Sequence, residues 1–265
     1  VPEEVCGVLK ENIYGHAKRL QWILSRIRKD DLILEFGCGT GSMISIPLAR
    51  LGYTVVGLDI DPKSIAFGQE LCRAAGVDPE ILREGPISRF DGLADIVIAA
   101  EVFEHIPEEN LPGVLSGIRE KLKEGGALLV TVPNGYGWFE LESFFWFKAG
   151  LGRVIKFLHI DWAVRKGKAA LYGSGIAEHY HDTASTLSES PHVRRFTLDS
   201  IRNILAQEGF TVIESTGSVL FSGPFSNLLF TGVPSLMRIN CALGGWLKGM
   251  ASNFYIGCRR SDAIR

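Results

Sequence analysis

The stretch LILEFGCGTG, Leu32 to Gly41, constrains the fold of this chain more than any other: an apolar run ends at one acid, and glycines follow at positions 37, 39 and 41. A short run of Leu, Ile and Phe reads as a buried strand. Glycines directly behind it let the main chain turn sharply into a helix and come close to whatever sits at that helix N-terminus, because no Cβ stands in the way. A second apolar run ends in VVGLDID, which puts Asp59 20 residues after Gly39. In a parallel arrangement both run ends reach the same carboxyl edge of a sheet.

The rest of the chain continues this alternation. A leading helix is expected over Ile13 to Arg28, with Leu20, Ile23, Leu24 and Ile27 on one face. Helices are expected at Ser42 to Leu51, Pro62 to Ala75 and Glu108 to Lys123, between strands at Leu32 to Phe36, Thr54 to Leu58, Glu80 to Arg83, Ala94 to Ala100 and Ala127 to Val132. Thr197 caps a further helix, and strands Phe210 to Ser215 and Phe254 to Cys258 close the chain. Near-continuous apolar strands separated by helices predict an α/β fold with a doubly wound, mostly parallel sheet. Between Gly135 and Ser190 the alternation lapses and aromatics gather, among them Trp138, Phe139, Phe144, Phe145, Trp146 and Phe147. We expect residues 1–134 and 191–265 to form the core, and 135–190 a helical, aromatic-rich insertion after strand five, a lid within the same domain.

At 265 residues and 46% hydrophobic, the chain can bury a full core, and a net charge of −2 with interspersed signs makes nucleic acid a poor partner. Cys6, Cys38, Cys72, Cys241 and Cys258 lie far apart without a C-x-x-C pair, so reduced thiols and a cytoplasmic location are expected. The chain opens on Val1 without an apolar signal segment, and its start is expected to be either an artificial boundary or a trimmed end. Val219 to Met237 holds no charged residue, but Gly223, Pro224, Gly232 and Pro234 interrupt it. A buried or interface-lying hairpin, with peripheral membrane contact, is expected ahead of a membrane span.

The ligand follows from the first two strands. A dinucleotide fingerprint would need Gly or Ala at 42, where the chain has Ser42. The glycine turn plus Asp59, whose carboxylate can accept bonds from both ribose hydroxyls, specifies an adenosine instead. The plainer alternative gives the glycines to tight packing and makes Asp59 the N-cap of the helix at Pro62.

These residues resemble the class I S-adenosylmethionine-dependent methyltransferases. LEFGCGTG, VVGLDID, ADIVIAAEVFEHI and LKEGGALLVTVPN carry the likeness over roughly residues 10 to 134 and again over 192 to 220. The resemblance implies a seven-stranded sheet whose last strand is antiparallel, and S-adenosylmethionine as cofactor, with S-adenosylhomocysteine as product. It places Glu35, Gly37, Cys38, Gly39 and Gly41 around the methionine part, Asp59 on the ribose, Ile60 on the adenine and Glu101 near the sulfonium. Where many members have Gly-Asp after strand three, this chain reads Glu84-Gly85-Pro86-Ile87, which leaves adenine recognition to main-chain groups or Ser88.

The EVFEHI and SPHVRRFT runs resemble those of two branches of that family, the ubiquinone-biosynthesis O-methyltransferases and the small-RNA 3′-end 2′-O-methyltransferases. In the second, such runs hold a divalent metal, and Glu101, Glu104, His105 and His192 match its positions. The alternative, and the expected one, is metal-free: Glu104 and His105 orient the loop after strand four, and His192 contacts substrate or water. His192 is also the candidate general base, with an ordinary pKa of about 6.5. Glu101, Glu104 and His105 are expected on one face of a helical turn, and His179 and His181 in a surface loop. The acceptor is expected to be a small hydroxylated molecule with an apolar or aromatic part, lipid-linked or sugar. N- or C-methylation, or a non-catalytic S-adenosylmethionine-binding partner protein, remain as alternatives.

Overall fold

The computed structural model describes residues 12–172 and 193–261. The leading helix is α1 (His16–Leu24); strands β1 (Leu32–Phe36) and β2 (Thr54–Asp59) flank α2 (Ser45–Arg50). Helix α3 (Pro62–Ala74) leads to β3 (Leu82–Glu84), then β4 (Ala94–Ala100), α4 (Leu111–Lys121) and β5 (Leu122–Pro133). Helices α5 (Trp138–Ser143), α6 (Leu151–Phe157) and α7 (Ile160–Tyr172) follow β5. After α8 (Leu198–Gln207) and β6 (Phe210–Gly217) come α9 (Pro224–Phe230), α10 (Pro234–Trp246) and β7 (Asn253–Arg260).

The seven strands lie in the order β3-β2-β1-β4-β5-β7-β6. All neighbours pair in parallel except β7, which runs antiparallel to both β5 and β6. The antiparallel last strand is the arrangement implied by the family resemblance. Side-chain alternation sends Ile33, Ile96, Ile98 and Leu129 to the α1 and α2 side, and Leu34, Val97, Leu128 and Val130 to the α4 and α8 side. Both faces are therefore buried, the condition that makes these strands read as continuous apolar runs.

Element ends differ from expectation where a side chain decides them. Helix α2 begins at Ser45 rather than Ser42 because Glu35, at the end of β1, accepts from the Ser45 main-chain N–H at 2.9 Å and from the Ser45 hydroxyl. Glu80 and Ile81, expected to open β3, instead belong to the single turn Pro79–Ile81, capped by Asp78. β5 runs five residues further back than expected, and its pairing with β4 shifts register between Ala94 and Ile96.

The uncharged run at 219–237, expected as a buried or interface-lying hairpin, is largely helical and mostly buried or half-buried. It breaks at its glycines and prolines into α9 and the start of α10, with Val219, Leu220, Val233 and Met237 buried. Glu142 of α5 caps α9 at its N-terminal end, accepting from Ser226 N–H and Oγ, while Lys168 of α7 donates to the Leu228 and Thr231 carbonyls at its C-terminal end. An acid at one helix end and a cation at the other match the helix dipole. Trp146 on Phe225, and Phe221 between Trp138 and Phe230, make edge-on contacts that fill a second small core. Among the described residues no helix is long and apolar enough to cross a membrane.

Helix α3 seats against the turn behind β1 through Gly68, where a Cβ would stand 2.5 Å from the Thr40 carbonyl oxygen. Gly68→Ala is therefore expected to destabilise the protein by about 1–3 kcal/mol despite the better helix propensity of alanine. Chemical denaturation of the variant and the parent checks this.

Candidate active site

The carboxyl ends of β1, β2 and β4 meet at the glycine turn. Gly37 and Cys38 both donate their main-chain N–H to the Leu58 carbonyl, at 2.8 and 3.0 Å. Gly37, at φ 69°, has no room for a Cβ, which would lie 2.6 Å from Val102 just beyond β4. Gly41, at φ 67°, is closed off in the same way by Leu82 of β3. The glycines thus serve internal packing as well as an open main chain. The Cys38 side chain turns inward among Ile46, Ile65, Cys72 and Leu82, where burial pushes its thiol pKa up, so this residue offers a ligand only main-chain groups.

Asp59 ends β2 almost fully buried. One carboxylate oxygen accepts from Gly39 N–H at 2.7 Å and the other from Asp61 N–H at 2.9 Å. A carboxylate has about four acceptor positions, so each oxygen keeps capacity for a hydroxyl donor. Asp59 is not the cap of α3; Asp61 is, accepting from Lys63 and Ser64 N–H. The packing alternative therefore loses its account of Asp59. Beside it, Ile60 is 75% exposed, a large apolar side chain held open at the sheet edge. Gly85 donates to the Asp59 carbonyl at 2.8 Å, and Ser88 lies exposed in the single turn Ile87–Arg89.

Glu101 and Glu104 do not share a helical face. Glu101 follows β4 at φ 57°, and the single turn Phe103–His105 starts two residues later. The Glu101 carboxylate accepts from Thr131 Oγ1 of β5 and Asn253 Nδ2 of β7, each at 2.7 Å, with Arg19 Nη1 of α1 at 3.8 Å. Glu104 is buried instead, and neither carboxylate oxygen has a hydrogen-bond partner. Burial, then the nearby Glu101 charge, raises its pKa well above the ordinary range. It faces the interior rather than an acceptor, and its carbonyl accepts from Val193 and Arg194 N–H, fastening the return of the chain to this turn. His105 Nε2 lies 4.0 Å from Glu104 Oε1.

Four residues that the sequence did not mark complete the site: Arg19, Ser45, Thr131 and Asn253. Arg19 is buried, its Nε has no hydrogen-bond partner, and its charge acts on both Glu35 and Glu104. Only the apolar stripe of α1 was legible, and an arginine on its flank reads as solvated. On the same helix, burial and then Arg19 push His16 down to about 3, which leaves it neutral and too weak a base to take a hydroxyl proton.

Among the described residues no three metal-capable side chains converge. Glu104 is buried and its raised pKa favours the protonated carboxyl, a poor ligand, so Glu101, Glu104 and His105 together do not fit the ion that the resemblance implied. His192, the fourth expected ligand and the expected base, lies outside the described residues, as do His179 and His181.

A family model for the methyltransferase domain matches residues 10–215. The chain belongs to the class I S-adenosylmethionine-dependent methyltransferases. It is 33% identical over 124 residues to a ubiquinone biosynthesis O-methyltransferase of Azorhizobium caulinodans, covering 46% of each chain. It is 28% identical over 127 residues to sphingolipid C9-methyltransferase B of Emericella nidulans, covering 45% of this chain and 24% of that protein. The chain thus spans less than half the length of these curated relatives. Its fold is similar to magnesium protoporphyrin IX methyltransferase of Synechocystis PCC 6803 with bound S-adenosylhomocysteine, at TM-score 0.53 and 16% identity, covering 97% of this chain and 91% of that one. A methyltransferase of Archaeoglobus fulgidus matches at TM-score 0.54 and 15% identity, over 92% of both chains.

Glu35 gives a pH test of the site's floor. Burial, opposed by the Ser45 hydrogen bonds and Arg19, raises its carboxyl from 4.5 to about 7. A raised acid favours folding while protonated: the contribution is complete below about pH 4.5 and is lost as pH climbs through about 7. The difference amounts to about 3 kcal/mol. Glu35→Gln is expected to match the parent near pH 5 and to exceed its stability near pH 8, as thermal unfolding at the two pH values will show.

Proposed function

We propose that this protein transfers the methyl group of S-adenosylmethionine to a hydroxyl oxygen of a small acceptor that carries an apolar or aromatic part, lipid-linked or sugar. The observation that carries the reading is Asp59: a buried carboxylate, tied to the glycine turn on one side, with acceptor capacity left on both oxygens. S-adenosylmethionine supplies an activated methyl group on a sulfonium. Asp59 holds the ribose hydroxyls, Ile60 packs on the adenine, and the main chain at Gly37, Cys38, Gly39 and Gly41 lies along the methionine part. Glu101 takes the ammonium. Glu35 supports this arrangement from beneath by fixing Ser45 at the start of α2.

Methyl transfer to a hydroxyl forms one O–CH3 bond, breaks one S–CH3 bond and releases the hydroxyl proton, so a base and an in-line approach are what the protein has to provide. His192 is the proposed base, adjacent in sequence to Val193, whose N–H is bound to the Glu104 carbonyl. Glu104 and His105 are proposed as positioning residues that hold this turn. Oxygen is favoured by the names of the ubiquinone biosynthesis relatives, and carbon by that of the sphingolipid C9-methyltransferase. Both names carry a lipid, which supports an apolar acceptor. A cytoplasmic location agrees with Cys38, Cys72 and Cys258, which are free thiols.

Asp59→Ala should weaken S-adenosylhomocysteine binding about tenfold to a hundredfold, the worth of charge-assisted bonds to a buried carboxylate. Calorimetric titration reads this directly, and unchanged affinity removes the ribose assignment. Incubation with methyl-labelled cofactor and fractionated extract separates enzyme from binding module: label in a product supports transfer, and tight binding without labelled product supports the module. On an identified acceptor, His192→Ala is expected to lower turnover by about a hundredfold to ten-thousandfold while cofactor affinity stays unchanged.

A further inference from the structure

The insertion after β5 presents a surface that the active site does not use. Gly152 and Ile155 of α6 face inward, with Trp146 packed so closely on Gly152 that a Cβ there would lie 2.7 Å from the indole. The opposite side is open. Phe147, Phe157 and Trp162 are 69%, 82% and 56% exposed, and Phe144, Leu158 and Leu171 join them. They lie on a wide turn at Phe144–Lys148 and on α6 and α7, pieces that pack on one another in chain order. Single exposed apolar residues are ordinary; this many within thirty residues of chain mark a surface with a partner.

The charges say what kind of partner. Between 144 and 172 there are six Lys or Arg and one acid, Asp161, although the whole chain has 28 basic and 30 acidic residues. Lys148, Arg153, Lys156, Arg165 and Lys166 are exposed among the aromatic rings, and Lys166 lies 4.4 Å over the ring of Trp162. Lys168 alone turns inward, to the carbonyls that end α9. Large rings interleaved with cations suit one surface: a bilayer whose headgroup region accepts Trp and Phe while its anionic lipids attract Lys and Arg.

We propose that this face, residues 144–172, docks the protein on membranes containing anionic phospholipid. The uncharged run at 219–237, where the sequence placed membrane contact, lies largely within the second core, so the contact moves to the insertion. Helix α5 starts five residues after β5 ends, and β5 neighbours β4, whose end carries Glu101. Docking through the insertion therefore puts the bilayer on the segment that directly follows the carboxyl end of β5. The value of this for an acceptor held in the bilayer rests on the proposed function; the membrane contact itself does not.

The test is flotation of the purified protein with vesicles of phosphatidylcholine alone and of phosphatidylcholine with about a third phosphatidylglycerol. Binding is expected to the anionic vesicles only, with a loss of at least tenfold on raising the salt from about 0.05 to about 0.5 M. Phe147→Ser/Phe157→Ser/Trp162→Ser, all exposed positions, should lower the partition coefficient at least tenfold while S-adenosylhomocysteine affinity stays at the parent value, which shows that the variant folds. Lys156→Glu/Lys166→Glu should weaken binding through charge alone. No binding to anionic vesicles, or binding that both variants leave intact, overturns the proposal. So does a concentration-dependent dimer in light scattering that the Ser variant abolishes, because a second copy of the chain would then cover the face. Vesicle binding is read without cofactor or turnover, so its failure is distinct from failure of the methyl-transfer reading.

Discussion

The site depends on one carboxylate. Asp59 joins the turn behind β1 to the loop behind β2 through Gly39 and Asp61, and buried charge-assisted bonds of this kind are the strong ones. Without it, two main-chain N–H groups at the sheet edge would lose their acceptor, and Gly39 would lose its bond to the end of β2. Gly37 against Val102 and Gly41 against Leu82 extend the same constraint to β4 and β3. Four strand ends are thereby held in one geometry by contacts that leave ligand-facing groups available.

A second layer of polar residues lies beneath that edge. Glu35, Glu101 and Glu104 surround Arg19, and only Glu101 has both oxygens in defined bonds to neighbouring strands. Burial of Glu35 and Glu104 costs less in the protonated form, and both pKa values are raised accordingly. This floor is organised by α1, so the leading helix belongs to the site as well as to the core.

The parallel strands, the order of elements and the Asp59 corner were legible in the sequence because short continuous apolar runs alternating with helical segments, and glycine turns behind them, have few other uses. The region's tertiary bonds were not. The start of α2 moved to Ser45 because a side chain ten residues earlier caps it, and Arg19 reads as a surface residue until the fold places it among carboxylates. EVFEH has helical spacing, yet Glu101 takes a left-handed backbone to meet Thr131 and Asn253, partners 30 and 152 residues away. The uncharged 219–237 run looked interfacial by composition, while the basic, aromatic 144–172 run shows its exposed face only once the inward side is known.

The most direct measurement is a crystal structure of the protein grown with S-adenosylhomocysteine. The account predicts the nucleoside across the carboxyl ends of β1 and β2, with ribose hydroxyl oxygens at about 2.6–3.0 Å from the Asp59 carboxylate. Density for the ligand elsewhere, or Asp59 bonded to Gly39 and Asp61 with no ligand oxygen near it, would contradict it.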